Sequence, residues 1–295
     1  MDIGIIGIGI IGTSFARNLL EDGDVVVAYD IDPQRLDALQ GMGGRPAASP
    51  REVADSADIV IVALPTLGSL EAVTSGPVSL AASRRPGVVV VDVSTLPVAE
   101  KERARANLEL AKIEMMDCTI SGMGKQVARR DVVFMASGDE EAILKVTPVL
   151  SRLGRQVLNV GPFGNGTRMK LLVNMLVAIH TAAAAEGLIL AERAGLDPVQ
   201  VLDVVSSGLA NSRSWEVRAP LMIRREYEVP GGPIRNWMKD VALIDDFTRS
   251  VGAVTPLFDA SRSLIEEADR LGLSSWDAAA VHVALEQRQP EPRYP

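Results

Sequence analysis

Ile3-Gly4-Ile5-Ile6-Gly7-Ile8-Gly9-Ile10-Ile11-Gly12 is the stretch that decides the fold. Its first four residues form an apolar run of strand type. The rest fits G-x-G-x-x-G and leads into a helical stretch over 13–20. In that setting Gly7 permits the tight turn, Gly9 lets the backbone approach a pyrophosphate, and Gly12 allows helix and strand to pack closely. The phosphates would rest on the helix N-terminus, at Ile10 and Ile11, where free N–H groups and the helix dipole favour negative charge. Glycines also serve plain turns, so the neighbourhood matters. A second strand over 25–29 is closed by Asp30, 18 residues after Gly12. An acidic side chain there can hydrogen-bond the ribose hydroxyls and would repel a 2′-phosphate, which favours NAD over NADP. Arg35 lies close enough to soften that preference, and a plain turn cap before Pro33 is the alternative role for Asp30.

Working outward, Ser49-Pro50-Arg51-Glu52 reads as a capping box with proline at the first helical position. Residues 58–64 and 88–93 are further continuous apolar runs of strand length. Strands apolar on both faces and separated by helices predict a parallel sheet covered on both sides. After about Gly164 the pattern becomes long helical periodicity, punctuated at Gly195-Leu196-Asp197-Pro198, at Gly252 and Pro256, and at Gly272. The expected organisation is an α/β Rossmann-type domain over 1–163 and an all-α domain over 164–290, joined by a long interdomain helix. A polar tail follows at 291–295.

Composition bounds the function. Of the 295 residues 47% are apolar and 23% charged, the balance of a soluble globular protein. The formal net charge of −8 provides no basic field for nucleic acid or anionic lipid. Cys118 is the single cysteine, which rules out a disulfide within the chain and fits a reducing cytoplasm. With only two histidines, His180 and His282, a protein-built metal site is not expected. The N-terminal apolar run lacks the basic flank of a secretory leader. Residues 171–191 are long enough to span a membrane, but Asn174, His180 and Glu186 interrupt them, and a buried helix is expected instead.

A second constellation stands at the junction of the two domains. A glycine-rich segment at 161–166 feeds a helix that carries Lys170 and Asn174 at i and i+4, on one face. A lysine in a cleft under an apolar helix is a candidate general base, since desolvation lowers its pKa; a lysine snorkelling from a buried helix is equally open on spacing alone.

With these motifs in order, the sequence resembles the β-hydroxyacid dehydrogenase family, the group of 3-hydroxyisobutyrate and tartronate semialdehyde dehydrogenases with a 6-phosphogluconate dehydrogenase-like fold. The resemblance rests on the N-terminal glycines, Leu64-Pro65, Asp92-Val93-Ser94-Thr95 and Asp117-Cys118-Thr119-Ile120-Ser121-Gly122. It also rests on the block ending in Lys170 and Asn174, and on Lys239-Asp240. It implies that Lys170 moves the hydroxyl proton while hydride passes to or from the nicotinamide, and that Asn174 holds the substrate oxygen. It implies that Ser121 and Gly122 take the substrate carboxylate, with Met123 next to them as a further substrate-binding position, and that Ser94 and Thr95, with Leu64 and Pro65, line the cofactor. Lys239 would reach cofactor or substrate from the helical domain, with Asp240 steadying that corner. A small carboxylate substrate and a homodimer or homotetramer follow from the same resemblance.

The sequence departs from the family at the substrate loop. Cys118-Thr119-Ile120 replaces the usual Ala-Pro-Val, and Met123 stands where a second glycine is expected. Arg130 occupies a position where glycine is common. The expectation is a substrate other than 3-hydroxyisobutyrate. Lys125, Arg129 and Arg130 read as a solvated charged turn, with a second anionic group on the substrate as the other possibility. Trp215, Tyr227 and Trp237 are expected in the core, and Cys118 as a small buried residue. An imine reductase shares fold and cofactor but typically lacks a lysine at position 170. A non-catalytic NAD-binding sensor has no need for Lys170, Asn174, Ser121 and Lys239 together.

Overall fold

The computed structural model describes residues 2–122, 124–229 and 232–290. Met123 and the tail at 291–295, both singled out above, lie outside the described residues. The chain divides into two compact units, Met1–Lys170 and Leu171–Pro295.

The first unit alternates strand and helix. Its elements are β1 (Asp2–Ile6), α1 (Ile10–Glu21), β2 (Val25–Tyr29), α2 (Pro33–Gly41), β3 (Arg45–Pro46), α3 (Pro50–Ser56), β4 (Ile59–Val62) and α4 (Leu67–Thr74). They continue with β5 (Val89–Asp92), α5 (Val98–Leu110), β6 (Glu114–Ser121), α6 (Gly124–Ala128), β7 (Val133–Ser137), α7 (Glu140–Leu153) and β8 (Gln156–Asn159). The strands form one sheet in the order β3-β2-β1-β4-β5-β6-β7-β8. The unbroken apolar runs have a simple cause. Ile59 and Ile61 of β4, with Val89 and Val91 of β5, face one core together with Phe15 and Phe134. Val60, Val62 and Val90 face the other core, with Leu70 and Leu108. Both faces of a parallel sheet are covered, so alternation is lost.

One expectation needs correcting: the sheet is not wholly parallel. β6 and β7 pair antiparallel, with Asp117 opposite Ser137. Among its described residues the connection over 122–132 holds only the one-turn α6, too short for the helical crossover that a parallel neighbour needs. The capping box at Ser49 is also looser than expected. Ser49 Oγ accepts from Glu52 N at 3.2 Å, but the Glu52 carboxylate reaches back to Ala48 N, one residue earlier.

The second unit is helical. α8 (Asn165–Arg193) runs into it from the first unit, followed by α9 (Pro198–Ser207), α10 (Arg213–Arg224), α11 (Ile234–Ser250), α12 (Pro256–Arg270) and α13 (Val281–Gln287). Its core contains Leu188, Trp215, Tyr227, Trp237, Ile244 and Phe258, so the three aromatic residues singled out above are packing residues. α8 is long and apolar enough to cross a membrane by length and composition. Its Leu171, Ala178, Ala185 and Leu188 are buried in the core of this unit, while Leu172, Leu176 and Leu190 are exposed, so the helix is buried on one side and not throughout as expected.

Candidate active site

The chain leaves β1 for β2 on one side and returns to β4 on the other, which opens a crevice beyond the carboxyl ends of β1 and β4. Gly7 turns there with φ +88°, and its amide donates to Tyr29 O at 2.9 Å. A Cβ at Gly7 would lie 2.3 Å from Ala63 O, and one at Gly12 would lie 2.0 Å from Gly7 O. Both positions are closed to any side chain by the chain itself. Gly9 differs: the nearest atom to its Cβ position is Arg35 Nη1, at 4.0 Å. Nothing within the chain demands glycine there, which fits a backbone kept bare for a ligand. The start of α1 completes the cradle. Gly9 supplies no side-chain cap, no acidic residue stands in the first turn, and Ile10 is exposed. A dinucleotide pyrophosphate therefore fits the residues present.

Asp30, at the end of β2, is nearly buried. Its Oδ2 accepts from Ile8 N at 2.6 Å and from Arg35 at 3.3 Å, and its Oδ1 accepts from Asp32 N at 2.9 Å. The carboxylate thus shapes the glycine loop itself, and the half-exposed Arg35 guanidinium covers it. On the other wall Ser94 Oγ accepts from Leu64 N at 2.9 Å, which joins the turns after β4 and β5. Pro65 is exposed beside Leu64, and Thr95 is half-buried beside Ser94.

Ser121 and Gly122, both half-buried, end β6. Gly122 takes φ +140°, and a Cβ there would meet Val132 Cγ1 at 2.5 Å, so this glycine is a structural requirement. Helix α6 lies against α1. A Cβ at Gly124 would be 2.6 Å from Ile10 Cγ2, and Asn18 Nδ2 donates to Val127 O at 3.1 Å. The segment after β6 and helix α1 are therefore neighbours.

α8 begins clamped into the β6–β7 pair. Gly166 N donates to Ser137 Oγ at 2.9 Å, and Thr119 Oγ1 donates to Gly166 O at 2.6 Å. Thr167 N and Oγ1 donate to the two oxygens of Asp117, at 2.7 and 2.8 Å. A Cβ at Gly166 would sit 2.6 Å from both Asp117 O and Met135 O, so only glycine lets the helix come this close. Lys170, half-buried, stands one turn after Gly166. Asn174 follows one turn later, and its Nδ2 donates to Asp240 Oδ2 on α11 at 3.0 Å. Lys239 Nζ is 3.7 Å from Asp240 Oδ1 and remains substantially exposed.

Several neighbouring residues are accounted for otherwise. Arg130 has φ +60°, the conformation in which glycine is at home, and its guanidinium binds both oxygens of Asp22 and the Asn18 carbonyl. It is a structural tie between α1 and the start of β7. Cys118 is wholly buried, and burial pushes its thiol pKa far up, so it is no nucleophile. Among the described residues Glu192, His282 and Glu286 bring ligand atoms within 4.8 Å of one another. Both Glu286 oxygens are held by Arg225, with which a cation would have to compete. Sequence reading passed over Lys101 and gave Asp92 and Asp117 no role beyond their motifs; the three form a buried ionic cluster. A lysine in the inward stripe 101/104/108 of α5 was the available signal.

Residues 2–161 match the family model described as the NAD binding domain of 6-phosphogluconate dehydrogenase. Residues 164–285 match the model described as NAD-binding of NADP-dependent 3-hydroxyisobutyrate dehydrogenase. The chain belongs to the β-hydroxyacid dehydrogenase family. Among its relatives, the chloroplastic glyoxylate/succinic semialdehyde reductase 2 of Arabidopsis thaliana is 31% identical, over 97% of this chain and 79% of that protein. The L-threonate dehydrogenase of Cupriavidus necator is also 31% identical, over 95% of this chain and 94% of its own length. The 3-hydroxyisobutyrate dehydrogenase of Mycobacterium tuberculosis, solved with L-serine, superposes with a TM-score of 0.87 at 27% identity, covering 96% of this chain and 98% of that one. This β-hydroxyacid dehydrogenase is thus an oxidoreductase with an NAD(P)-binding Rossmann unit, in a family whose members act on hydroxy acids and semialdehydes.

Proposed function

We propose that the enzyme interconverts a small 3-hydroxy acid and its semialdehyde, with Lys170 as the general acid/base. The observation that carries this reading is the placement of Lys170 and Asn174 one turn apart on α8, with the first turn of that helix anchored by Asp117 and Asn174 anchored by Asp240. Gly7, Gly9, Ile10, Ile11, Gly12 and Asp30 would hold the dinucleotide, whose nicotinamide would supply or accept the hydride when bound. Lys170 Nζ takes the proton from the substrate hydroxyl during oxidation and returns it to the carbonyl oxygen during reduction. The Asn174 amide holds that oxygen. Ser121 and Gly122 bind the carboxylate, and Lys239 is a further contact for cofactor or substrate. Ser94, Thr95, Leu64 and Pro65 line the cofactor.

NAD is the preferred dinucleotide, because the Asp30 carboxylate opposes a 2′-phosphate; Arg35, beside it, lessens the penalty for NADP. Met123, where the family has a second glycine, favours a substrate other than 3-hydroxyisobutyrate; Cys118, Thr119 and Ile120 are buried, and their bulk is taken up within the fold. The proposed domains are 1–163 for the cofactor and 164–290 for substrate and self-association. A cytoplasmic homodimer or homotetramer is expected, a state that fits the exposed Val199, Val204 and Leu209 at and after α9.

Absorbance of NADH and NADPH at saturating cofactor tests the reading. The panel holds 3-hydroxy acids in the oxidative direction (L-threonate, L-serine, 2-(hydroxymethyl)glutarate and 3-hydroxyisobutyrate) and a matching semialdehyde, 2-hydroxy-3-oxopropionate, in the reductive one. Turnover of at least one, faster with NAD(H), is the expected result. Tight NADH binding without turnover of any would overturn it in favour of a sensor.

A further inference from the structure

The buried face of α5 consists of Lys101, Ala104 and Leu108, at helical spacing. An ammonium in such a stripe is strongly unfavourable unless carboxylates accompany it. Two do. Asp92, the last residue of β5, stands directly beside Asp117 in the parallel β5–β6 register. All three side chains are inaccessible to solvent. Lys101 Nζ lies 3.0 Å from Asp92 Oδ2 and 2.7 Å from Asp117 Oδ1. Burial alone would lower the lysine's pKa; the two carboxylates outweigh it and hold the pKa above its ordinary value. Without Lys101, two carboxylates would face each other on adjacent strands with no water to screen them.

Each carboxylate has a second partner that leads to the candidate site. Asp92 Oδ1 accepts from Ser94 N at 3.0 Å, which shapes the turn where Ser94 meets Leu64. Asp117 caps the first turn of α8 through Thr167, three residues before Lys170. We propose that Lys101 is a positioning residue: it ties the Ser94 turn to the first turn of α8, and so fixes where Lys170 stands relative to the cofactor wall. The catalytic part of this inference rests on Lys170 being the acid/base. Stability alone gives little reason for a buried triad, because well-packed apolar side chains commonly serve as well or better.

The test uses Lys101→Met combined with Asp92→Asn, since Lys101→Met alone leaves two uncompensated carboxylates and can prevent folding. The double variant leaves the cluster's formal charge unchanged, and the amide oxygen introduced at position 92 still accepts from Ser94 N. Two readouts are compared with the parent enzyme. Amide hydrogen exchange over residues 93–96 and 166–170 should accelerate together, by about tenfold or more, while residues 7–12 stay unchanged. For whichever acid or aldehyde of the panel turns over fastest, kcat should fall by about tenfold or more, with KM within about threefold. Acceleration in only one segment, or in neither, overturns the coupling. Acceleration in both with kcat unchanged overturns the positioning role and leaves a stabilising one. If the parent turns over nothing in the panel, the Lys170 reading fails, while the exchange result still decides whether Lys101 joins the two segments.

Discussion

Asn174 and Asp240 meet through a 3.0 Å hydrogen bond in which the amide nitrogen is the donor. A carboxylate can only accept here, so the nitrogen end of the amide is fixed toward α11 and its oxygen end points away. The nitrogen carries a second N–H, and that donor is the one that would hold the substrate oxygen while its proton passes to Lys170. Asn174→Ala should lower kcat/KM by about a hundredfold, and Asp240→Ala by about tenfold, through loss of orientation. In the double variant the two losses should not add, because residues in one hydrogen-bonded unit couple. Steady-state kinetics of the four proteins decides this, and full additivity would separate the two residues.

Lys170→Ala should reduce kcat by about a thousandfold, within the range for loss of a general acid/base, and leave NADH affinity within about twofold. Lys170→Arg should not rescue it, because a guanidinium does not release its proton at working pH. Fluorescence titration with NADH and stopped-flow hydride transfer separate binding from chemistry. A fully active Lys170→Ala enzyme would remove the lysine from the mechanism.

Gly9 and Gly12 should fail in different ways. A methyl group at position 12 lands 2.0 Å from the Gly7 carbonyl, so Gly12→Ala should lower the Tm of the Rossmann unit sharply. At Gly9 the chain leaves open space, so Gly9→Ala should melt as the parent does while NADH affinity drops by about tenfold or more. Thermal scans beside NADH titrations check both. An equal loss of Tm in the two variants would contradict the distinction.

Gly122→Ala combines a φ of +140° with a Cβ placed 2.5 Å from Val132. It should destabilise the fold by about 1–3 kcal/mol, as overpacked sites generally do. The companion Val132→Ala should recover part of that loss by removing the clash, but not the part due to backbone conformation. Urea denaturation of the single and double variants measures the split.

Stability should decline on acidification through the His282 cluster. Burial lowers the pKa of His282, against the opposing pull of Glu286 and Glu192. The unfolded chain therefore takes up the proton more readily than the folded one, so this contribution is complete above about pH 6.5 and is lost as the pH falls below it. Glu286, held below its ordinary pKa by hydrogen bonds from Arg225, extends the loss into the carboxylate range. Tm recorded from pH 8 to pH 5 should fall, and His282→Leu should flatten the upper part of that slope. Tyr227, whose hydroxyl lies 3.0 Å from His282 Nδ1, would lose that partner in the variant at every pH, so the slope is the informative quantity and not the absolute Tm.

Much of the fold was legible because its signals are local. The run from Ile3 to Gly12 carries both the strand and the turn chemistry, and Pro198 and Pro256 sit at helix starts. The antiparallel β7 was not legible, because strand direction depends on how the 122–132 connection closes and not on apolar pattern. At the site, residues with side chains suited to chemistry stood out, whereas the groups that hold them did not. Asp117 looks like any motif residue until Thr167 is found 50 positions away on its two oxygens. Lys101 reads as one more helix-surface lysine unless the stripe it shares with Ala104 and Leu108 is noticed. Asp30 was expected to await the ribose; it already receives the amides of Ile8 and Asp32, a use that no spacing rule encodes.

Cys118 has a practical consequence. It is the one thiol in the chain, and it is buried on β6, in the same core as Val91, Met116 and Ala136. The native enzyme needs no reductant in storage and offers nothing for maleimide or iodoacetamide to label. Uptake of such a reagent therefore becomes a clock, running only when the Rossmann unit opens and ticking more slowly once a dinucleotide holds it shut.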